Sequence, residues 1–136
     1  MTMLTYTEAM KRVRFLERYG YLKLDGHVGD ETFGWDRHLN QALYSSPEWR
    51  EFRRRMILRD DGCDLADPDR PIRGRIIVHH LNPLTVQQVI DRDPMIFDPD
   101  NVICVSHDTH EAIHWGSQDL LARDPVERRP GDTKLW

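Results

Sequence analysis

Four of the seven histidines in this 136-residue chain stand at spacings that give each imidazole a separate task. His79 and His80 are adjacent in Ile-Ile-Val-His-His-Leu-Asn-Pro, and His110 and His114 lie four apart downstream. An imidazole can hold a divalent metal ion, and one outside the metal can take a proton from water near neutral pH. On a helix, His110 and His114 project from one face and can share an ion. His79 can supply a third ligand where a strand end meets that helix. Three protein ligands leave open positions, as in a catalytic rather than a closed structural site. In an extended strand His79 and His80 face opposite ways, so they do not readily bind one ion together. A local twist at the strand end brings His80 beside a phosphate, where it can act as general base. Both tasks are needed to cut a phosphodiester.

The elements that must position these groups can be read from periodicity and punctuation. Residues 7–19 read as a helix closed by Gly20, with Met10, Val13, Leu16 and Phe15 as its apolar stripe. Residues 21–45 show no clear period and carry turn signals at Gly26, Gly29 and Gly34. A second helix begins at Ser45-Ser46-Pro47-Glu48 and runs through Trp49, Phe52, Met56 and Ile57 to Asp60-Asp61-Gly62. The apolar run Cys63–Ala66, a turn over 67–71 and a strand over Arg75–Val78 read as a hairpin leading into His79-His80. Asn82-Pro83 breaks the strand, and Thr85–Asp91 reads as a short capped helix. After a turn at 97–100, Asn101–Val105 is strand-like, and His107–Trp115 is a helix stopped by Gly116. The tail beyond residue 122 reads as extended or loosely ordered.

Composition sets the frame. The length suits one domain, the charged fraction of 31% suits a soluble cytoplasmic protein, and no apolar stretch is long enough to span a membrane. Cys63 and Cys104 are too few for a disulfide framework. A net charge of −4 argues against a passive nucleic-acid coat, yet basic residues cluster at Arg50, Arg53, Arg54, Arg55 and Arg59 and again at Arg70, Arg73 and Arg75. These are either a solvated helix face interleaved with acids or a phosphate-contacting surface.

The stretch from about Arg59 to Gly116 resembles the HNH endonucleases, whose ββα-metal (His-Me finger) fold wraps two strands and a helix around one metal ion. His79-His80 is similar to the family's first pair, a metal ligand followed by the general-base histidine. Asn101, in Asp-Pro-Asp-Asn-Val-Ile, is similar to the central asparagine, which braces the hairpin loop and orients the base. His110 resembles the last motif ligand, and His114 the further ligand of the bacterial-toxin (colicin-type) nucleases, which also begin with His-His. Leu24-Asp-Gly-His-Val-Gly through Tyr44, with Arg59-Asp-Asp-Gly-Cys-Asp-Leu, extends the resemblance to small tailed-phage HNH proteins and to roughly residues 22–116. Many family members carry two Cys-x-x-Cys pairs around a structural zinc. The matching positions here are Cys63, Ala66, Ser106 and Thr109, and one thiolate cannot hold that ion.

The resemblance implies an α+β chain with an HNH core and leading helix at 46–122, an N-terminal helix and irregular extension at 1–45, a C-terminal tail at 123–136, and no zinc knuckle. It implies a metal-dependent endonuclease acting on DNA, phage-encoded and linked to packaging, with the terminase large subunit as a candidate partner. His80 and Asn101 are the expected catalytic residues, and His79, His110 and His114 the ligands of one divalent ion. Imidazoles suit Zn2+ or Ni2+, whereas Mg2+ and Mn2+ favour oxygen, so the ion stays open among these. Arg53, Arg54, Arg73 and Arg75 are candidates for backbone contacts to DNA. Two alternatives remain: a metal-independent ribonuclease using two histidines as acid and base, and an accessory or scaffold protein of the packaging machinery. Target sequence, nicking against double-strand cutting and oligomeric state stay open.

Overall fold

The computed structural model describes residues 3–24 and 37–121, with residues 37–40 described by their backbone alone. The turn signals at Gly26, Gly29 and Gly34 and the tail at 123–136 lie outside the described residues. The chain is mixed helix and strand. Among the described residues there are helices α1 (Tyr6–Met10), α2 (Phe15–Leu22), α3 (Arg37–Tyr44) and α4 (Pro47–Arg59). They are followed by strand β1 (Ile77–His80), helix α5 (Val86–Ile90), strand β2 (Val102–Val105) and helix α6 (His107–Trp115). None of these helices is long and apolar enough to cross a membrane.

The expected helix over 7–19 is two helices with a break at 11–14. Val13 is 84% exposed and Leu16 51%, while Ala9, Phe15, Tyr19 and Leu22 are buried. Gly20 therefore lies inside α2 rather than closing it. A mid-helix glycine costs about 1 kcal/mol, less than the roughly 1.5–3 kcal/mol available from burying Leu22 two residues further on. Guanidinium groups take up carbonyls around the break: Arg12 donates to Glu8 O and Arg18 to Arg12 O. Helix α3 occupies part of the stretch in which the sequence shows no period. Helix α4 starts as read, with Ser46 accepting from the Trp49 amide and Pro47 in the first turn.

The strand pairing differs from the expected hairpin. Cys63–Ala66 is not a strand: Leu65 and Ala66 take φ of 50° and 55°, and only one bridge, Cys63 to Pro71, links this segment to the next. Two successive left-handed residues cannot continue an extended chain. The sheet instead pairs β1 with β2, antiparallel, with His79 opposite Ile103 and His80 opposite Val102. It separates two apolar clusters. On one face Val78, Val102 and Cys104 pack with Trp49, Phe52 and Met56 of α4; on the other Ile103 and Val105 pack with Phe15, Tyr19 and Leu22 of α2 and Ala112 and Ile113 of α6. Tyr19 Oη donates to Ala112 O and Leu24 N to Ile113 O, so the N-terminal helices hold α6 directly.

With two strands, the outer edge of β2 needs partners that are not strands. Three side chains from the end of α4 and the turn after it supply them. Arg59 donates to Val102 O at 2.8 Å, Asp60 accepts the Cys104 amide at 2.9 Å, and Asp64 accepts the Ser106 amide at 3.0 Å. Asp64 also accepts from the hydroxyls of Ser106 and Thr109, at 2.9 and 2.5 Å. At Ser106 and Thr109, where no zinc knuckle is expected, a carboxylate–hydroxyl network joins the two segments. Burial raises the Asp64 carboxyl pKa, and the bonds to Thr109 and Ser106 oppose that shift. Asp64→Ala is expected to lower unfolding free energy in urea by about 2–4 kcal/mol, with Asp64→Asn keeping part of it. A loss below about 0.5 kcal/mol for the alanine variant contradicts this role.

Candidate active site

The strand places the adjacent histidines on opposite faces of the sheet. His79 lies on the α6 face, its ring centroid 5.2 Å from that of His110 at 71° between planes. His114, one turn on, is 6.1 Å from His110. Ser106 caps α6 by accepting the Thr109 amide, and Gly116 ends it in the left-handed conformation at φ 66°. The intervening Ala112 and Ile113 are wholly buried, which fixes the helix rotation and aims both histidines along one side.

His79 is 7% exposed, and its Nε2 is the single buried side-chain nitrogen or oxygen among the described residues without a hydrogen-bond partner. Burial, and then the nearby imidazoles of His110, His80 and His114, hold its pKa well below the usual histidine value. Burial and His114 lower that of His110 too. Both are thus neutral near pH 7, and a neutral imidazole keeps one ring nitrogen with a lone pair. Two imidazoles sharing an ion at ~2.1 Å per nitrogen and a tetrahedral angle put their centroids about 5 Å apart, the separation found for His79 and His110. An orphaned nitrogen beside a second neutral imidazole fits a metal-binding role. His114 stands further off, and among the described residues no three His, Cys, Asp or Glu side chains are already arranged to hold an ion.

His80 belongs to the other face. It is 8% exposed, with its ring 5.3 Å from that of Trp49 at 31° between planes. Its Nε2 lies 3.0 Å from Ile96 O. A carbonyl oxygen only accepts, so Nε2 carries the proton and Nδ1 keeps the lone pair. Burial lowers the His80 pKa, against the opposing effect of the Ile96 bond. The ring is therefore neutral and of defined tautomer, both prerequisites of a general base.

Asn101 is buried and braces the long 81–101 connection. Its side-chain amide donates to Met95 O at 3.1 Å, its oxygen accepts from Asn82 Nδ2 at 2.7 Å, and its carbonyl accepts from Leu81 N. Met95 immediately precedes Ile96, so Asn101 fixes the segment that presents a carbonyl to His80. Asn82, not singled out from the sequence, completes this brace: it exchanges bonds with the backbone of Leu4, at 2.9 and 2.8 Å. The signal was its place two residues after His80, where it served only as a strand breaker. Trp49 and Asp64 were equally unassigned.

The four candidate DNA-contacting arginines divide. Arg53 donates to Ile76 O at 2.8 Å, steadying the approach to β1. Arg54 pairs with Glu51 at 3.0 Å on the surface of α4. Arg73 and Arg75 are exposed on either side of Gly74, whose φ is +105°. Arg59 is tied to Asp60, Val102 and Pro99 and lies over the Tyr6 ring at 3.6 Å. Compared with known family models, curated proteins and solved structures, the chain shows no match.

The lowered histidine pKa values set a pH dependence of stability. The folded value of His79 lies below its unfolded value of about 6.5, so the unfolded chain binds more protons as pH falls through 6.5. This contribution is fully present above 6.5 and is lost towards the folded value. Asp64, raised by burial, acts with opposite sign from pH 3.8 upward, so a variant comparison isolates the imidazole. In chelator, Tm is expected to fall by at least about 4 °C between pH 7.5 and 5, the change ~1 kcal/mol produces at this size. His79→Gln should show a shallower fall; equal slopes in both proteins contradict the assignment.

Proposed function

We propose that the chain is a metal-dependent endonuclease of the ββα-metal (HNH) type that hydrolyses DNA phosphodiesters, in a phage packaging context. The orphaned Nε2 of buried, neutral His79 beside His110 carries this reading. It is supported by the order β1, β2, α6, which brings a strand histidine to a helix bearing two more. His79, His110 and His114 are the residues that would hold the ion. When bound, the ion supplies positive charge that stabilises the phosphate in the transition state and the departing 3′ oxygen.

The chain's own groups do the rest. His80, held by Ile96 O through Nε2–H, accepts the proton of the attacking water at Nδ1. Asn101 orients that histidine through the 95–96 segment and is a positioning residue. Exposed Arg73 and Arg75 are free to meet the phosphate backbone, whereas Arg53 acts on the fold. Such contacts position a substrate without reading its sequence.

A second reading has its own support. The burial of His80 beside Trp49 favours an accessory role beside the terminase large subunit. Plasmid nicking with Mg2+, Mn2+, Ni2+ or Zn2+ separates the two. The nuclease reading expects chelator-sensitive cutting that His80→Ala reduces by about 100- to 10,000-fold. Wild-type inactivity with every metal, or undiminished cutting by His80→Ala, sinks it. Capture of the terminase by an inactive protein supports the accessory role.

A further inference from the structure

We propose that Trp115 is a stacking platform for an unpaired base of the nucleic acid, seated beside the candidate ligand His114. The inference rests on the nuclease reading above and adds to it how substrate is positioned. Single exposed apolar side chains are ordinary on a protein surface. Trp115 is set apart by where it stands and how it is fixed. It is 60% exposed, whereas Trp49 is 3% exposed in the core. Its ring centroid is 5.5 Å from that of His114, with 70° between planes. The indole N–H donates to Glu111 Oε2 at 3.3 Å, one helical turn earlier. That bond occupies the polar edge and restrains the ring, while the exposed remainder is aromatic surface. Gly116 then turns the chain away and offers no side chain to cover it.

The chemistry of the neighbourhood selects the partner group. The Glu111 carboxylate repels a phosphate but not the uncharged face of a base. An indole accepts any base, because every base has a π face, and stacking of this kind gives tolerance of sequence rather than discrimination. In a duplex both faces of each base are already stacked, so the platform requires a base that is unpaired or displaced. The preferred ligand is therefore single-stranded, frayed or distorted DNA.

The test is fluorescence anisotropy with a labelled single-stranded oligonucleotide of about 12 nucleotides, in chelator so that cleavage plays no part. Trp115→Ala is expected to weaken binding by about 5- to 100-fold, and Trp115→Phe to stay within about threefold of wild type. An oligonucleotide series with one abasic position should show a register at which wild type loses a similar factor and Trp115→Ala loses nothing further. A purely structural role for Trp115 does not produce that non-additivity. Equal binding by wild type and Trp115→Ala, or additive losses at every abasic position, overturns the proposal. So does a wild-type dimer that Trp115→Ala converts to monomer in sedimentation, since the ring is then a subunit contact. If wild type nicks plasmid with metal but fails these binding tests, the stacking proposal alone falls. If it neither nicks nor binds, both fall.

Discussion

Everything near the histidines depends on how a two-stranded sheet satisfies its outer edge. A pair of four-residue strands leaves one side of β2 with backbone groups that need partners. Arg59, Asp60 and Asp64 take three successive outward groups at Val102, Cys104 and Ser106. All three come from the end of α4 or the turn just after it, so the helix and the sheet are locked in register by side chains rather than by a third strand. Because Asp64 also grips the first turn of α6, the same short segment sets the strand and the helix that carries His110 and His114. The left-handed pair Leu65-Ala66 is what bends this segment back into reach.

Local chemistry made some of this legible. Ser46 and Pro47 marked the start of α4, Gly116 the end of α6, and Thr85 the start of α5. These signals act over three or four residues, and sequence displays them directly. The break in the N-terminal helix was hidden because Val13 and Leu16 match helical spacing as well as Phe15, Tyr19 and Leu22 do. Only the partner surface decides which set is buried. Strand pairing was hidden for a related reason: Cys63–Ala66 is apolar enough for a strand, but its backbone conformation depends on Asp64 reaching residues 42 and 45 positions away. Long-range side-chain bonds of this kind leave no local periodicity.

The histidines show the same division. Their types and spacing suggested separate tasks, and the alternation of a strand puts His79 and His80 on different faces. Which neighbours each would meet was not legible. His79 lies against the imidazole of His110, while His80 packs beside an indole and donates to a loop carbonyl. Substrate access to His80 therefore depends on the surroundings of Trp49, which packs against Tyr44, Phe52 and Phe97.

The bond between Asn82 and Leu4 carries a consequence of another kind. Residues 78 positions apart are buttoned together by one amide side chain that serves both the Leu4 backbone and Asn101. From Leu4 to the carbonyl that faces His80 the route crosses two asparagines and one peptide unit. The opening residues of the chain are thus part of the hardware of the site rather than a preface to it. Losing the Leu4 backbone from this brace is a perturbation of the candidate base.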